Sequence, residues 1–178
     1  MRFKNTENHF GLVAIFFHWV MAILLIGLVV LGLYMTSLSI SAQKLTLYGY
    51  HKEFGMLVLF LVMLRIVWRI GNTLPALTSL NIFERFAARA VHWGFYLLMI
   101  ALPITGWLIT SSAGLPVSFF NLFIIPTLGS PSPDLLKLFE NIHEWLAYCL
   151  IALFCLHVLA ALKHHFINKD DILRRMIS

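Results

Sequence analysis

Four long apolar runs, separated by short stretches that carry most of the charged residues, limit what this chain can fold into. Each run has about 20 or more mainly apolar residues, which is the length that a helix needs to cross a bilayer. Helices are expected because the bilayer core offers no water to satisfy an unpaired strand edge. The sequence therefore predicts a bundle of four membrane-spanning helices, at Gly11–Met35, Tyr50–Gly71, Ala90–Thr110 and Ile142–Phe166.

The composition agrees with an all-α membrane protein. Of the 178 residues, 60% are hydrophobic and only 12% are charged, whereas a soluble domain carries about 25% charged residues. The length fits one domain that covers residues 1–178. The first apolar run could also be interpreted as a secretory signal peptide, but it is longer than the apolar core of about 7–15 residues in such peptides. We therefore expect it to be retained as a helix.

The basic residues predict the orientation, since cytoplasmic loops carry an excess of Lys and Arg. With four spans, ten of the thirteen Lys and Arg residues fall on one side: Arg2, Lys4, Arg65, Arg69, Arg85, Arg89, Lys163, Lys169, Arg174 and Arg175. The remaining three are Lys44, Lys52 and Lys137. Both termini are therefore expected in the cytoplasm. We interpret the net charge of +5 as part of this asymmetry, and not as a sign of nucleic-acid binding.

Histidines recur within the apolar runs at intervals of seven and fourteen residues. Fourteen residues turn a helix by nearly four whole turns, so His143 and His157 share a face and lie about 21 Å apart along the axis. The first run enters from the cytoplasmic side, so His18 should lie level with His157. The second run enters from the opposite side, so His51 should lie level with His143. The sequence thus predicts two histidine pairs at two depths of the membrane.

The chemistry of these pairs favours haem over zinc. A zinc site collects three or four ligands in one shell, which two pairs about 21 Å apart along a helix cannot form. Haem takes one ligand at each axial position, and two facing helices can supply both. The sequence has no CxxCH motif, so nothing in it suggests covalent attachment of haem. A single membrane histidine could instead only hydrogen-bond a neighbouring helix, although ionisable residues in spans are usually functional.

Three more residues continue the fourteen-residue interval from a histidine: Gly32, Arg65 and Gly106. A glycine lets a large flat group approach the backbone closely, although small residues also serve ordinary helix packing. Arg65 needs an anionic partner inside the membrane, yet the inner halves of the four runs hold no Asp or Glu. A haem propionate would supply the missing negative charge.

Motifs in all four runs resemble the bacterial cytochrome b561 family over nearly the whole chain. They are "FFHW" in the first run, "YHKEFG" in the second, "VHWGFYLLMIALPITGW" in the third, and "NIHEWLAY" with "LHVLAALKHHF" in the fourth. The resemblance implies a four-helix bundle in the bacterial inner membrane with two non-covalent b haems. Carried over to this sequence, it implies ligation of one haem by His18 with His157 and of the other by His51 with His143.

The resemblance also implies electron exchange with ubiquinone, and one type within the family oxidises superoxide and passes the electron to ubiquinone. We therefore expect a di-haem membrane cytochrome that oxidises periplasmic superoxide and reduces ubiquinone, in contact with membrane lipid. A redox partner protein is a further expected contact if the chain is instead the cytochrome b subunit of a separate dehydrogenase or hydrogenase. A non-redox transporter, in which the histidines relay protons, is the third hypothesis.

Polar groups near the inner pair are candidates for contact with ubiquinone: His92, Arg89, Lys163 and His164. His164 is the first choice because it lies seven residues beyond His157, on the same face and near the cytoplasmic boundary. An imidazole can donate the hydrogen bond that a quinone carbonyl accepts. The alternative for His164 is a surface histidine beside a charged tail.

Three lysines on the outer side could attract a small anion such as superoxide: Lys44, Lys52 and Lys137. They could equally bind haem propionates or lipid headgroups.

Overall fold

A computed structural model describes residues 3–7, 9–76 and 80–177 of the chain. Four long helices make up most of them: α1 Leu12–Ser37, α2 Ala42–Ile70, α3 Ile82–Ser112 and α4 Pro133–Lys163. A short antiparallel hairpin, β1 Val117–Phe119 and β2 Phe123–Ile125, follows α3. Past α4 the chain continues in a π-helix, His164–Asn168, and a 3₁₀ turn, Arg174–Met176. The predicted four-helix, all-α architecture is confirmed, and the small hairpin is an addition to it.

Side-chain caps decide where three of the long helices begin. Asn81 forms a capping box with Glu84 at the start of α3, and Ser132 caps α4 just before Pro133. Ser41 caps α2 in the same way. Such caps satisfy backbone N–H groups that the first helical turn leaves free. Because these caps lie outside the apolar runs, α3 and α4 begin eight and nine residues before the predicted spans.

The helices pack in chain order, with direct contacts from α1 to α2, from α2 to α3 and from α3 to α4. A compact apolar core joins the first three helices through Met21, Val58, Val62, Tyr96 and Met99. Within the described residues, the backbone of α4 stays apart from those of α1 and α2 along most of their length. This leaves a gap on one side of α4 that side chains, or a bound group, can fill.

Three of the helices in the described part of the chain are long and apolar enough to cross a membrane, at Leu12–Ser37, Ile82–Ser112 and Pro133–Asn168. Helix α2 is not one of these three, because it carries Lys52 and Glu53 towards one end and arginines towards the other. The predicted span at 50–71 therefore stays a prediction. Its middle part is nevertheless helical and contributes to the apolar core.

Both ends of the chain meet the α2–α3 connection at one end of the bundle. The Trp19 indole donates to the carbonyl of Met176 at 2.7 Å, and Arg175 donates to the carbonyl of Ala76 at 3.1 Å. Near the N-terminus, Asn5 donates to the carbonyl of Thr73 at 2.9 Å. We call this the terminal end. Most of the ten basic residues that predict the cytoplasmic side belong to segments near the terminal end. Arg2 lies outside the described residues.

The opposite end, which we call the hairpin end, is covered by the β1–β2 hairpin. Its turn has two residues with positive φ, Phe120 at 49° and Asn121 at 57°. The Phe120 ring packs edge-on against Phe54 of α2, with ring centroids 5.2 Å apart. Trp107 of α3 donates to the carbonyl of Pro126 at 2.9 Å. These contacts fasten the connection between α3 and α4 to the bundle.

Candidate functional site

Near the hairpin end, His51 of α2 faces His143 of α4 across the gap between these helices. The two ring centroids are 6.3 Å apart, and the ring planes are inclined by 73°. Both histidines line a cavity of about 450 Å³ that all four long helices enclose. This volume lies within the range of about 300–1,000 Å³ that is usual for sites of organic ligands. The walls of the cavity are mostly apolar, and the two histidines are among its few polar side chains.

Two glycines seat the imidazole rings of this pair. A Cβ atom added at Gly32 would lie 3.3 Å from Cε1 of His51, and one added at Gly106 would lie 3.5 Å from Cε1 of His143. Both glycines also line the cavity. The nearest neighbour of each glycine is thus a histidine ring, whereas the sequence predicted a flat group there. The imidazole rings can lie this close to α1 and α3 because positions 32 and 106 carry no side chain.

Thr105 fixes the orientation of His143. Its hydroxyl donates to the carbonyl of Leu102 at 2.9 Å, so its oxygen is available to accept from Nδ1 of His143, which is also 2.9 Å away. With the proton on Nδ1, the lone pair of Nε2 is free to bind a metal. Metal-binding histidines are commonly oriented in this way by a hydrogen bond from the second ring nitrogen. The sequence analysis missed Thr105, whose only signal is a hydroxyl directly before Gly106.

His51 lacks a comparable partner. Its Nδ1 atom is buried and has no hydrogen-bond partner among the described residues. A buried polar atom without a partner costs about 1–3 kcal/mol, and so usually marks a place where something else binds. The hairpin-end pair therefore combines one oriented imidazole with one that still lacks a partner.

At the terminal end, His18 of α1 faces His157 of α4, with ring centroids 6.2 Å apart. His92 of α3 lies on another side of His157, at 6.0 Å. Phe95 packs against the same ring at 5.4 Å. The structure thus brings three histidines together here, because the spacing also carries His92 to this depth.

Cations lie beside the terminal-end pair. The guanidinium groups of Arg65 and Arg69 lie 5.9 and 5.5 Å from the centroid of the Tyr96 ring. Among the described residues Arg65 has no carboxylate partner, and its nearest polarisable contact is Met21 Sδ at 3.8 Å. Both arginines line a small cavity together with Trp68, whose buried Nε1 also lacks a hydrogen-bond partner in the described chain. Two cations and a free N–H donor make this a suitable place for an anionic group.

The sequence model of the prokaryotic cytochrome b561 family matches residues 9–178. The chain belongs to this family. Its members are membrane b-type cytochromes that transfer electrons, and they bind b-type haem. The resemblance that the motifs indicate is therefore confirmed.

Named relatives agree with this assignment. The chain is 37% identical over 184 residues to cytochrome b561 homolog 2 of Escherichia coli (strain K12), which covers 99% of this chain and 95% of that protein. It is 35% identical over 128 residues to the probable superoxide oxidase CybB of Yersinia pestis, with 71% and 72% covered. Cytochrome b561 homolog 1 of Escherichia coli (strain K12) is 27% identical over 175 residues, with 96% and 97% covered.

The histidine pairs of this cytochrome fit haem. Two imidazoles bound to opposite sides of one metal ion, each at about 2 Å, have ring centroids about 6 Å apart. Both facing pairs have this separation. One further observation agrees at the hairpin end, namely the contact of Thr105 with Nδ1 of His143, which leaves Nε2 free. Among the described residues, no group of three or more metal-binding side chains forms a closed shell of the zinc type.

The candidate quinone contacts of this cytochrome do not form one cluster. His164 is buried, with 8% of its surface exposed, and its Nδ1 lies 2.6 Å from Oδ2 of Asp170. Lys163 instead binds Glu84 of α3 at 3.0 Å. Arg89 is exposed on α3, and His92 lies beside His157. The sequence analysis did not identify Asp170, because its proximity to His164 depends on how the chain turns after α4.

The three outer lysines are also separated. Lys44 donates to the carbonyl of Leu38 at 2.6 Å, and Lys137 is exposed on α4. Only Lys52 lines the hairpin-end cavity, where Glu140 and Glu144 lie as well. The cavity thus has two carboxylates and one ammonium group along its polar edge.

Proposed function

We propose that this protein is a two-haem cytochrome of the bacterial inner membrane, with both termini in the cytoplasm, that carries electrons from superoxide to ubiquinone. The observation that carries this proposal is the presence of two facing histidine pairs, each of which has one member on α4. His143 and His157 both belong to α4 and lie about 21 Å apart along its axis. Haem b supplies one-electron transfer when it is bound. A pair of histidines would hold each haem, and two imidazole ligands suit electron transfer.

The residues around each pair have separate roles in this proposal. His51 with His143, and His18 with His157, hold the two haems. Thr105 keeps Nε2 of His143 unprotonated, as metal binding requires. Arg65 and Arg69 provide positive charge for a propionate at the terminal end, since a cation in a membrane span needs an anionic neighbour.

Superoxide is proposed as the electron donor because a relative that is 35% identical carries the name probable superoxide oxidase. Two superoxide ions would each lose one electron to give O₂. One ubiquinone would take up these two electrons with two protons to give ubiquinol. The charges at the hairpin end provide little attraction for an anion, because Glu140 and Glu144 oppose Lys52 there.

These carboxylates favour a second candidate function, in which the cytochrome is the electron-transfer subunit of a separate dehydrogenase. A basic surface on a partner protein would be attracted to Glu140 and Glu144, whereas a small anion would be repelled. In this case the partner, and not the hairpin end, would carry out the oxidation chemistry.

Stopped-flow mixing of the purified, oxidised cytochrome with superoxide tests the two functions. The haem spectrum should convert to the reduced b-type form without any other protein, and superoxide dismutase added beforehand should abolish the reaction. The haem content should be two per chain. Reduction that requires an added dehydrogenase would favour the second function, and a preparation without haem would contradict both.

Ubiquinone is proposed to react at the terminal end, beside His164. This residue lies seven positions beyond His157, which places it about 10 Å further along α4. Changing His164 to Ala should leave both haems bound and reducible, but slow their reoxidation by a soluble ubiquinone analogue. His165→Ala is the matched control, because it removes a histidine at the next position. The ring of His165 packs against Phe166, with ring centroids 4.8 Å apart. Equal rates in the two variants would place the quinone site elsewhere.

A further inference from the structure

The chain folds back on itself directly after α4. The regular helix ends in a π-helical turn at His164–Asn168, and Lys169 then takes a left-handed conformation with φ of 55°. The backbone N–H of Asp170 consequently returns to the carbonyl of His164 at 3.2 Å. π-helical turns are uncommon and are frequently found at functional sites. This turn brings the side chain of Asp170 back to a histidine that precedes it by six residues.

Asp170 and His164 form a close, largely buried hydrogen bond. Oδ2 of Asp170 lies 2.6 Å from Nδ1 of His164, and the two side chains are 17% and 10% exposed. The second oxygen, Oδ1, accepts from the backbone N–H of Ile172 at 3.1 Å. An ionised carboxylate can only accept hydrogen bonds. The proton of the short contact therefore belongs to Nδ1 of His164, and its Nε2 is free to bind another group.

The neighbouring contacts hold this pair in a fixed position. The side-chain amide of Asn168 lies 3.0 Å from the same Nδ1 atom. It accepts a second hydrogen bond from the protonated Nδ1 when its oxygen faces the ring, since a half-turn of the amide exchanges its oxygen and nitrogen. One residue before His164, Lys163 binds Glu84 at the start of α3. Further along the chain, the carbonyl of Met176 accepts from Trp19 of α1. The turn is thus tied to α1 and α3, so the imidazole cannot easily change its orientation.

We propose that Asp170 is a positioning residue that holds His164 for proton delivery to ubiquinone. This inference rests on the proposed reduction of ubiquinone at the terminal end. Asp170 keeps the proton on Nδ1, so that Nε2 points to a quinone carbonyl oxygen. As two electrons reach the quinone, the doubly protonated ring of His164 gives up the proton on Nε2. The Nε2–H bond breaks, a new O–H bond forms on the quinone, and the neutral ring with hydrogen on Nδ1 remains. Water on the cytoplasmic side restores the proton on Nε2 and provides the second proton of the quinol.

The carboxylate contributes in two ways. It selects one of the two neutral imidazole tautomers, because only the form with hydrogen on Nδ1 can donate to it. It also stabilises the imidazolium form that exists before the proton is delivered, since a charge-assisted hydrogen bond is stronger than a neutral one. The arrangement resembles in principle other histidines that act in proton transfer and are oriented by a carboxylate.

Asp171 provides a matched control for this role. It is the next residue, and it binds Arg175 at 2.9 Å with half of its side chain exposed. This hydrogen bond from Arg175 lowers the pKa of Asp171 below its usual value. Asp171→Asn therefore removes the same charge from the same turn, but it leaves the hydrogen bond to His164 intact.

The first measurement is reoxidation of the pre-reduced cytochrome by a soluble ubiquinone analogue, at varied quinone concentration. Asp170→Asn should lower the maximal rate about tenfold or more, as expected for loss of an orienting partner, with a smaller change in the quinone concentration at half-maximal rate. Asp171→Asn should react like the parent, and Asp170→Glu should recover part of the rate. Haem content should be the same in all variants.

Three outcomes would overturn parts of this inference. If His164→Ala is slow and Asp170→Asn is fast, the quinone site stands but Asp170 does not position its histidine. Equal slowing by Asp170→Asn and Asp171→Asn would show that the turn needs negative charge in general, and would overturn the specific role. A His164→Ala protein that is as fast as the parent would overturn the proposed quinone site together with this inference.

The second measurement needs no variant for its main result. In ¹⁵N spectra of the unaltered cytochrome labelled at histidine, the neutral ring of His164 should carry its proton on Nδ1. The His164→Ala protein identifies the signal by its disappearance. A ring that carries its proton on Nε2, or an equal mixture of both forms, would overturn the positioning role even if Asp170→Asn failed to fold.

Discussion

The hairpin-end and terminal-end histidine pairs have nearly equal ring separations, 6.3 and 6.2 Å, but very different surroundings. The first lies in a cavity of about 450 Å³ with glycine behind each ring. The second is packed against a third histidine and a phenylalanine, with two arginines close by. At the hairpin end, glycines without side chains leave room beside the histidine rings. At the terminal end, arginines place positive charge close to the histidines. The same separation between two facing imidazole rings thus occurs in two different surroundings.

The largest effect is expected from replacing a histidine, because each replacement should affect one pair and leave the other intact. His51→Ala or His143→Ala should remove the haem at the hairpin end, while the haem between His18 and His157 survives. Haem content should fall from two to one per chain. Redox titration should show that His18→Ala retains the component that His51→Ala loses. Loss of the same component from both variants would contradict the pairing.

A smaller effect is expected where the cavity depends on glycine. Gly32→Val places a branched side chain against the ring of His51, and overpacking of this kind costs about 1–3 kcal/mol. Haem should be retained less tightly at the hairpin end, and normally at the terminal end. Gly27→Val is the control, because a Cβ at Gly27 meets no atom within 4 Å. If both variants lose haem to the same extent, the glycine at position 32 has no special role as a seat for the ring.

The hydrogen bond to His143 should contribute somewhat less. Thr105→Val removes the side-chain acceptor for Nδ1 of His143 and leaves the backbone of Leu102 as its other partner. A net loss of about 1 kcal/mol is typical of one such bond. The midpoint temperature for loss of the hairpin-end haem should decrease. Thr46→Val provides the comparison, because the hydroxyl of Thr46 donates to the carbonyl of Ala42 in its own helix, and Thr46 is not among the residues that line the cavity. An equal decrease in both variants would show that the threonine hydroxyls matter for the helix alone.

The smallest effect concerns the charge at the terminal end. Arg65→Leu removes a positive charge and thereby disfavours the reduced haem, so the potential of the terminal-end haem should fall by an amount on the order of tens of millivolts. Arg89→Leu, at an exposed position of α3, should change it much less. The haem between His51 and His143 should keep its potential. An unchanged or raised potential in the Arg65→Leu protein, with haem retained, would contradict the proposed charge compensation.

Helical geometry made much of this arrangement predictable from the sequence. The fourteen-residue interval between His143 and His157 fixes both their common face and their separation, whatever the surrounding loops do. Gly32 and Gly106 follow from the same interval, although the groups that they face are imidazole rings. That these histidines ligate haem stays a prediction, which the variants above test.

Contacts that depend on the rotation of one helix against another were not predictable. Thr105 lies on α3 and meets His143 only because α3 and α4 pack at a particular angle. Asp170 meets His164 only because the chain takes a π-helical turn, for which the sequence has no periodic signal. Helices α3 and α4 begin before the apolar runs for a related reason, since the caps at Asn81 and Ser132 lie outside those runs.

Helix α4 supplies one histidine to each pair, and it follows α1, α2 and α3 in the chain. During synthesis, α1, α2 and α3 are therefore made before either pair is complete. Until α4 arrives, His18 and His51 lack their facing residues, and the gap beside α4 has no second wall. If the two pairs hold haem as proposed, cofactor insertion follows the synthesis of α4, and a chain that is truncated before α4 should accumulate without haem.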